Sequence, residues 1–152
     1  MGSEDRPHSE TLKEPRMSWE SLEVELKKVA DKVRHTQYEP DIIVGIIRGG
    51  LVPARILSTM LNVRKMHTLS LKRNEDGTRE ITAGILEDIR GMRVLLIEDM
   101  LETGRGLIQG KQYLSSLGAE VKTACLYVMP ISEIEPDFYL KRVNQVQVFP
   151  WE

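Results

Sequence analysis

Three short aliphatic segments, alternating with helical patterns, constrain the fold of this chain more than any other feature. Unbroken apolar runs of this length are typical of strands buried on both faces, as in a parallel sheet. Amphipathic helix patterns precede and separate them. The alternation predicts an α/β fold, a Rossmann-like parallel sheet flanked by helices. The strand segments are Asp41–Ile47, Arg93–Asp99 and Val121–Met129, and the helix patterns are residues 19–33, 53–61 and 104–117.

The bulk properties predict one folded domain behind a polar tail. Residues 1–16 are nearly free of large apolar groups, so we expect a flexible tail there and a single domain over residues 17–152. A net charge of −2 argues against general nucleic-acid binding. No apolar run is long enough to span a membrane, and no signal sequence opens the chain, so we expect a cytoplasmic protein.

Two glycine-containing loops follow two of the predicted strands. They are Arg48–Gly50 and Thr103–Gly106. In parallel α/β sheets, ligands bind at the carboxyl ends of the strands, which is where both loops lie. Neither loop has the P-loop pattern, and Gly104, Gly106 and Gly110 are spaced one residue too widely for a dinucleotide fingerprint.

Two adjacent carboxylates, Glu98 and Asp99, end the second strand just before the Thr103–Gly106 loop. We expect them at an exposed strand end. The loop leads into a helix whose first N–H groups favour a phosphate, and Thr103 and Arg105 can add side-chain donors. Carboxylates accept hydrogen bonds from vicinal hydroxyls or bind Mg²⁺. A phosphate site beside a diol site predicts a ribose 5-phosphate.

The stretch Val94–Gly106 resembles the phosphoribosyl-pyrophosphate signature of the type I phosphoribosyltransferases: a hydrophobic run, two acids, two hydrophobic residues, an acid, Thr-Gly, and after one residue Ser or Thr. Gly45–Ala54 resembles the pyrophosphate loop of the xanthine-guanine and hypoxanthine branch of bacteria and archaea. Val148–Glu152 resembles the small C-terminal hood of that branch. The resemblance covers roughly residues 18–152 and implies purine salvage, in which the 5-phosphoribosyl group moves from phosphoribosyl pyrophosphate to a purine or purine-like base.

The resemblance also implies a role for individual residues. Glu98 and Asp99 would hold the ribose hydroxyls with Mg²⁺ near Asp99, and Glu102, usually an Asp in the family, would share the proton of the base nitrogen. A cis peptide would join Ile47 to Arg48, and a loop near residues 70–79 would close over the site. The family is usually homodimeric or larger. The 5-phosphate would bind at Thr103, Gly104, Arg105 and Gly106, and pyrophosphate at Arg48, Gly49 and Gly50.

Three positions depart from the family pattern. Gly106 replaces a hydroxyl-bearing residue, Met129 replaces the lysine that reads the purine O6, and Val146 replaces an aromatic ring that stacks on the base. We therefore expect a base pocket formed by Met129, Val146, Gln147 and Trp151. Two alternatives remain open: a non-catalytic regulator of this fold that binds phosphoribosyl pyrophosphate or a nucleotide, and a transferase for a non-purine base. The basic residues Lys72, Arg73 and Arg79 are interpreted as a solvated loop.

Overall fold

Two sheets organise the structure, a computed structural model that describes residues 15–152. The strands are β1 (Ile42–Ile47), β2 (Met66–Arg73), β3 (Arg79–Ala83), β4 (Arg93–Ile97), β5 (Met100–Leu101), β6 (Glu120–Ala124), β7 (Tyr127–Val128) and β8 (Lys141–Arg142). The central sheet has the order β3-β2-β1-β4-β6, and a small sheet has the order β5-β7-β8. In the central sheet, neighbouring strands are parallel except for β3, which is antiparallel to β2. The predicted α/β fold with a mostly parallel sheet is confirmed.

Helices cover both faces of the central sheet, which explains why its inner strands β1 and β4 are almost entirely aliphatic. Helices α1 (Trp19–His35) and α2 (Leu51–Met60) share a hydrophobic core with Ile43 of β1. Helix α3 (Arg105–Ser116) shares a second core with Val44, the next residue along the same strand. Because successive side chains of a strand point to opposite faces, β1 supplies both cores and has no polar face.

The third predicted strand differs from the expectation, because residues 121–129 do not form one continuous strand. β6 ends at Ala124, and β7 belongs to the small sheet. The chain changes partners between them: the Cys125 N–H donates to the Phe138 carbonyl (3.1 Å), and the Leu126 N–H donates to the Asp99 carbonyl (3.0 Å). These contacts bring the C-terminal segment against the acidic end of β4. After Pro130, the extended segments are the short strand β8 and the isolated bridges at Phe138 and Val148.

The folded unit begins before α1. Arg16 forms a bridge with Val148, and the Met17 N–H donates to the Val148 carbonyl (2.7 Å), so Arg16 belongs to the fold rather than to the predicted tail. Ser18 caps α1, its hydroxyl oxygen accepting from the Ser21 N–H (3.1 Å). The rest of the predicted tail, residues 1–14, lies outside the described residues. Within residues 15–152, no helix is long and apolar enough to cross a membrane.

Candidate active site

A cavity of about 380 Å³ lies at the carboxyl ends of β1 and β4. This is the edge of a parallel sheet where ligands usually bind, and the volume is within the range of small-molecule sites. Of the residues predicted from sequence, it is lined by Glu98, Asp99, Glu102, Thr103, Gly104, Arg105, Gly106, Val146 and Gln147. The remaining lining residues are Ile46, Ile47, Leu71, Arg73, Arg79, Met100, Leu101, Phe149 and Glu152.

The acidic pair is half-buried, which corrects the expectation of an exposed strand end. Burial, with the neighbouring Asp99 charge, raises the pKa of Glu98 to about 8, although the positive charge of Arg79 opposes the shift. Burial also raises the pKa of Asp99 to about 6, despite a 2.6 Å hydrogen bond from the Met100 N–H to its carboxylate. Within the described chain neither carboxylate forms an ion pair. Both are therefore available to a cation or to hydroxyl donors.

The Arg48–Gly50 loop lies directly against the acidic pair, although its residues do not line the cavity. The peptide bond between Ile47 and Arg48 is cis, as the resemblance implied. A Cβ added to Gly49 would stand 2.5 Å from a carboxylate oxygen of Asp99, and one added to Gly50 would collide with the Ile97 carbonyl. The two glycines are required because the loop approaches the end of β4 so closely.

The predicted phosphate loop leads into a helix whose N-cap residue has no side chain. Gly104 adopts a left-handed conformation (φ 78°) and precedes α3 without a side-chain cap. Thr103 turns its hydroxyl oxygen toward the Arg105 N–H (3.3 Å). A Cβ added to Gly106 would lie 3.5 Å from a carboxylate oxygen of Glu98, an ordinary contact. The helix start is therefore close to the acidic pair, and it has room for the hydroxyl that this chain lacks.

The Arg105 side chain already has protein partners. Its Nε donates to a carboxylate oxygen of Glu133 (2.8 Å), and its Nη1 lies 3.5 Å from the Gly77 carbonyl. The sequence suggested that this guanidinium is a free donor for a phosphate. The structure instead places it between the loop that follows β7 and the turn that joins β2 to β3.

The β2–β3 hairpin adds two cations to the cavity. Arg73 and Arg79 are paired across the two strands, and both line the cavity with Leu71. Arg73 and Arg79 therefore lie on strands that line the cavity rather than in the loop predicted from sequence, although Arg73 is exposed, whereas Lys72 is exposed and outside the cavity lining. The sequence could not reveal this placement because the strand pairing that brings Arg73 beside Arg79 is a tertiary contact.

The C-terminal segment closes the other end of the cavity. Of the four residues predicted to form the base pocket, Val146 and Gln147 line the cavity, and Met129 and Trp151 do not. Trp151 instead stacks on Phe149: the ring centroids are 4.9 Å apart and the ring planes are nearly parallel (2°). Phe149 is buried and lines the cavity. It was not predicted as a base-pocket residue, although the stretch Val148–Glu152 that resembles the family's hood contains it.

Comparisons with known proteins are consistent with this site. The family model described as "Phosphoribosyl transferase domain" matches residues 18–152. Xanthine-guanine phosphoribosyltransferase of Chromohalobacter salexigens is 30% identical over 142 residues, covering 90% of this chain and 82% of that relative. The crystal structure of a purine phosphoribosyltransferase from Pyrococcus horikoshii Ot3 superposes with a TM-score of 0.83 and 34% identity, covering 92% of this chain and 94% of that one. A xanthine-guanine-hypoxanthine phosphoribosyltransferase of Helicobacter pylori, 18% identical and covering 90% of this chain and 92% of that one, shares the fold (TM-score 0.78).

Proposed function

The chain belongs to the phosphoribosyl transferase domain family, and from this we propose that it transfers the 5-phosphoribosyl group of phosphoribosyl pyrophosphate to a purine base in purine salvage. The observation that carries the proposal is the closeness of the acidic pair to the start of α3. A Cβ on Gly106, in the first turn of that helix, would lie 3.5 Å from Glu98. One sugar phosphate can therefore offer its diol to the carboxylates and its 5-phosphate to the helix start. The purine specificity named for the relatives supports the choice of base.

In the proposed reaction, the bond between the anomeric carbon and a pyrophosphate oxygen breaks, and pyrophosphate leaves with the bonding electrons. A nitrogen of the base forms the new bond to that carbon and transfers its proton to Glu102, which lines the cavity. The 5-phosphate is held by the backbone of Thr103–Gly106. Pyrophosphate is held by Arg48, Gly49 and Gly50, whose loop lies against Asp99.

We further propose that Mg²⁺ binds with the substrate at Asp99. No group of three or more potential ligands suited to a metal ion occurs within residues 15–152. That fits Mg²⁺, which commonly uses one or two protein carboxylates together with water and substrate phosphate oxygens. The half-buried Asp99, without a cationic partner in the described chain, provides such a carboxylate. When bound, the ion neutralises charge on the pyrophosphate leaving group.

The base would lie at the C-terminal end of the cavity, against Val146, Gln147 and the buried ring of Phe149. Phe149 is buried and its ring stacks on Tyr127 and Trp151, so it does not supply the free aromatic face that the family's usual ring would give where Val146 stands. Met129, outside the cavity lining, leaves the edge of the base without the family's lysine. A base specificity that differs from that of the family would therefore originate at this end of the cavity.

A transfer assay over a panel of bases tests the proposal. The protein, phosphoribosyl pyrophosphate and Mg²⁺ are mixed with hypoxanthine, guanine, xanthine, adenine or uracil, and nucleoside monophosphate is measured by chromatography. We expect product with at least one purine, and none from a variant carrying Glu98→Gln and Asp99→Asn. Glu23→Gln, on the exposed surface of α1, serves as the control. Binding of phosphoribosyl pyrophosphate without any product would favour the non-catalytic regulator, and product from uracil alone would favour a non-purine transferase.

Two expectations from sequence extend the proposal beyond the single chain. We propose a cytoplasmic location and a homodimer or larger homo-oligomer, the usual state of the family. The assembly is tested by light scattering coupled to gel filtration, where a mass of one chain (17.4 kDa) at assay concentration would contradict it.

A further inference from the structure

Arg105, the first residue of α3, links two segments that are distant in sequence. Its Nε is 2.8 Å from Glu133, in the loop after β7. Its Nη1 approaches the carbonyl oxygen of Gly77 at the tip of the β2–β3 hairpin (3.5 Å). A Cβ on Gly77 would lie 2.7 Å from that Nη1, and Gly77 also has a positive φ of 87°. A glycine at the hairpin tip therefore permits the guanidinium to approach the backbone.

A backbone contact fixes the same arrangement. The Glu133 N–H donates to the Thr103 carbonyl (2.8 Å). Glu133 therefore binds the phosphate loop through its main chain, and it binds the Arg105 side chain through its own carboxylate. With one side of the guanidinium bound to Glu133, the other side faces the hairpin tip. The position of the hairpin tip is therefore fixed relative to the phosphate loop.

The hairpin carries the cations that face the acidic pair. Arg73 and Arg79 are cross-strand partners directly beside the tip and line the cavity. The charge of Arg79 acts on Glu98 across the cavity. Any shift of the tip away from α3 would move both cations relative to the acidic pair.

We propose, on the basis of the function proposed above, that Arg105 is a positioning residue. Its guanidinium, oriented by Glu133, anchors the β2–β3 hairpin over the cavity during transfer and is not a ligand of the 5-phosphate. An anchored hairpin keeps Arg73 and Arg79 in place and excludes water from the activated sugar. The anomeric carbon then reacts with the base nitrogen rather than with water.

The test breaks the ion pair without altering the phosphate loop. Glu133→Gln removes the carboxylate that orients Arg105, and Glu135→Gln is the matched control, because Glu135 pairs with Arg142 in the same stretch of chain. Both acids are about half exposed, so neither change threatens folding. The rate of phosphoribosyl pyrophosphate hydrolysis is compared with the rate of transfer to the base. Hydrogen exchange at residues 74–78 reports on the hairpin tip.

We expect Glu133→Gln to raise the ratio of hydrolysis to transfer by up to about fivefold, the scale of one exposed ion pair, and to accelerate exchange at the tip. The KM for phosphoribosyl pyrophosphate should stay close to that of the unchanged protein. An increased KM with an unchanged ratio would show that Arg105 is a phosphate ligand instead. Behaviour identical to Glu135→Gln would also overturn the proposal. If the protein catalyses no transfer at all, the proposed function fails, and the exchange measurement still decides whether Glu133 and Arg105 hold the tip.

Discussion

At the scale of single residues, the chemistry depends on carboxylates whose environment is unfavourable until a ligand arrives. Glu98 and Asp99 are adjacent, half-buried and close to Glu102 and Glu152, whose charges also raise the pKa of Asp99. Such an arrangement costs stability in the ligand-free protein and offers binding energy to Mg²⁺ and to ribose hydroxyls. The sequence revealed the pair and its motif, but not its burial, which results from the C-terminal segment packing across the end of β4.

The first prediction concerns pH. A carboxyl whose pKa is raised on folding contributes stability below its unfolded pKa, and this is lost as the pH rises through the folded value. For Glu98 and Asp99 the folded pKa values are about 8 and about 6. We expect the free energy of unfolding of the ligand-free protein to fall, on the order of a few kcal/mol, between about pH 5 and pH 8. Urea denaturation across this range measures it.

The matched variants for this prediction are Glu98→Gln, which should flatten the decline, and Glu23→Gln on the exposed face of α1, which should not. A decline that is the same in all three proteins would mean that other groups cause it. Carboxylates with lowered pKa values, such as Asp41 and Asp88, lose their contribution only at lower pH and do not interfere in this window.

The second prediction concerns the absent hydroxyl at Gly106. A Cβ at this position meets only a carboxylate oxygen of Glu98, at 3.5 Å, so a serine fits in the first turn of the helix start to which we assign the 5-phosphate. We expect Gly106→Ser to lower the KM for phosphoribosyl pyrophosphate about fivefold, since one added hydrogen bond to a charged group contributes about 1 kcal/mol or more. Gly106→Ala separates this effect from the gain in helix propensity. If the serine and alanine variants have the same KM, the 5-phosphate does not bind at this helix start.

At the scale of secondary-structure elements, two close approaches create the site: the Arg48–Gly50 loop against β4, and the hairpin against α3. Glycine marks both contacts, at Gly50 and at Gly77. The sequence identified the first because a glycine pair follows a buried strand. It did not identify the second, since Gly77 resembles any turn glycine until β2 and β3 are paired and Arg105 is placed beside it.

The third prediction tests the first of these contacts. A methyl group at Gly50 would collide with the Ile97 carbonyl, which is rigid strand backbone. We expect Gly50→Ala to lower the free energy of unfolding by about 1–3 kcal/mol, as for other overpacked sites, and to weaken phosphoribosyl pyrophosphate binding by displacing Arg48. Denaturation and calorimetry measure the two effects, with Gly106→Ala as a glycine substitution that has room. Unchanged phosphoribosyl pyrophosphate binding in Gly50→Ala would show that the Arg48–Gly50 loop does not form the pyrophosphate site.

At the scale of the whole molecule, the fold was predictable because the inner strands β1 and β4 are buried on both faces. Runs such as Ile42–Ile47 permit few other placements, and the loops after them then fall at one edge of the sheet. What escaped prediction depends on pairings between distant segments. The third predicted strand divides into β6 and β7 because Cys125 between them pairs with Phe138. Phe149 reaches the cavity because the C-terminal segment folds back over Tyr127, so that the rings of Tyr127 and Phe149 are 6.0 Å apart.

The most direct test of the whole account is a crystal structure of the protein with guanosine monophosphate, a product of the proposed reaction. We predict the phosphate at the first turn of α3, within hydrogen-bond distance of the backbone N–H groups near Gly106. The ribose hydroxyls should contact Glu98 and Asp99, and the purine should lie against Val146 and Phe149. A phosphate bound elsewhere, or a ribose whose hydroxyls do not reach the acidic pair, would contradict the account.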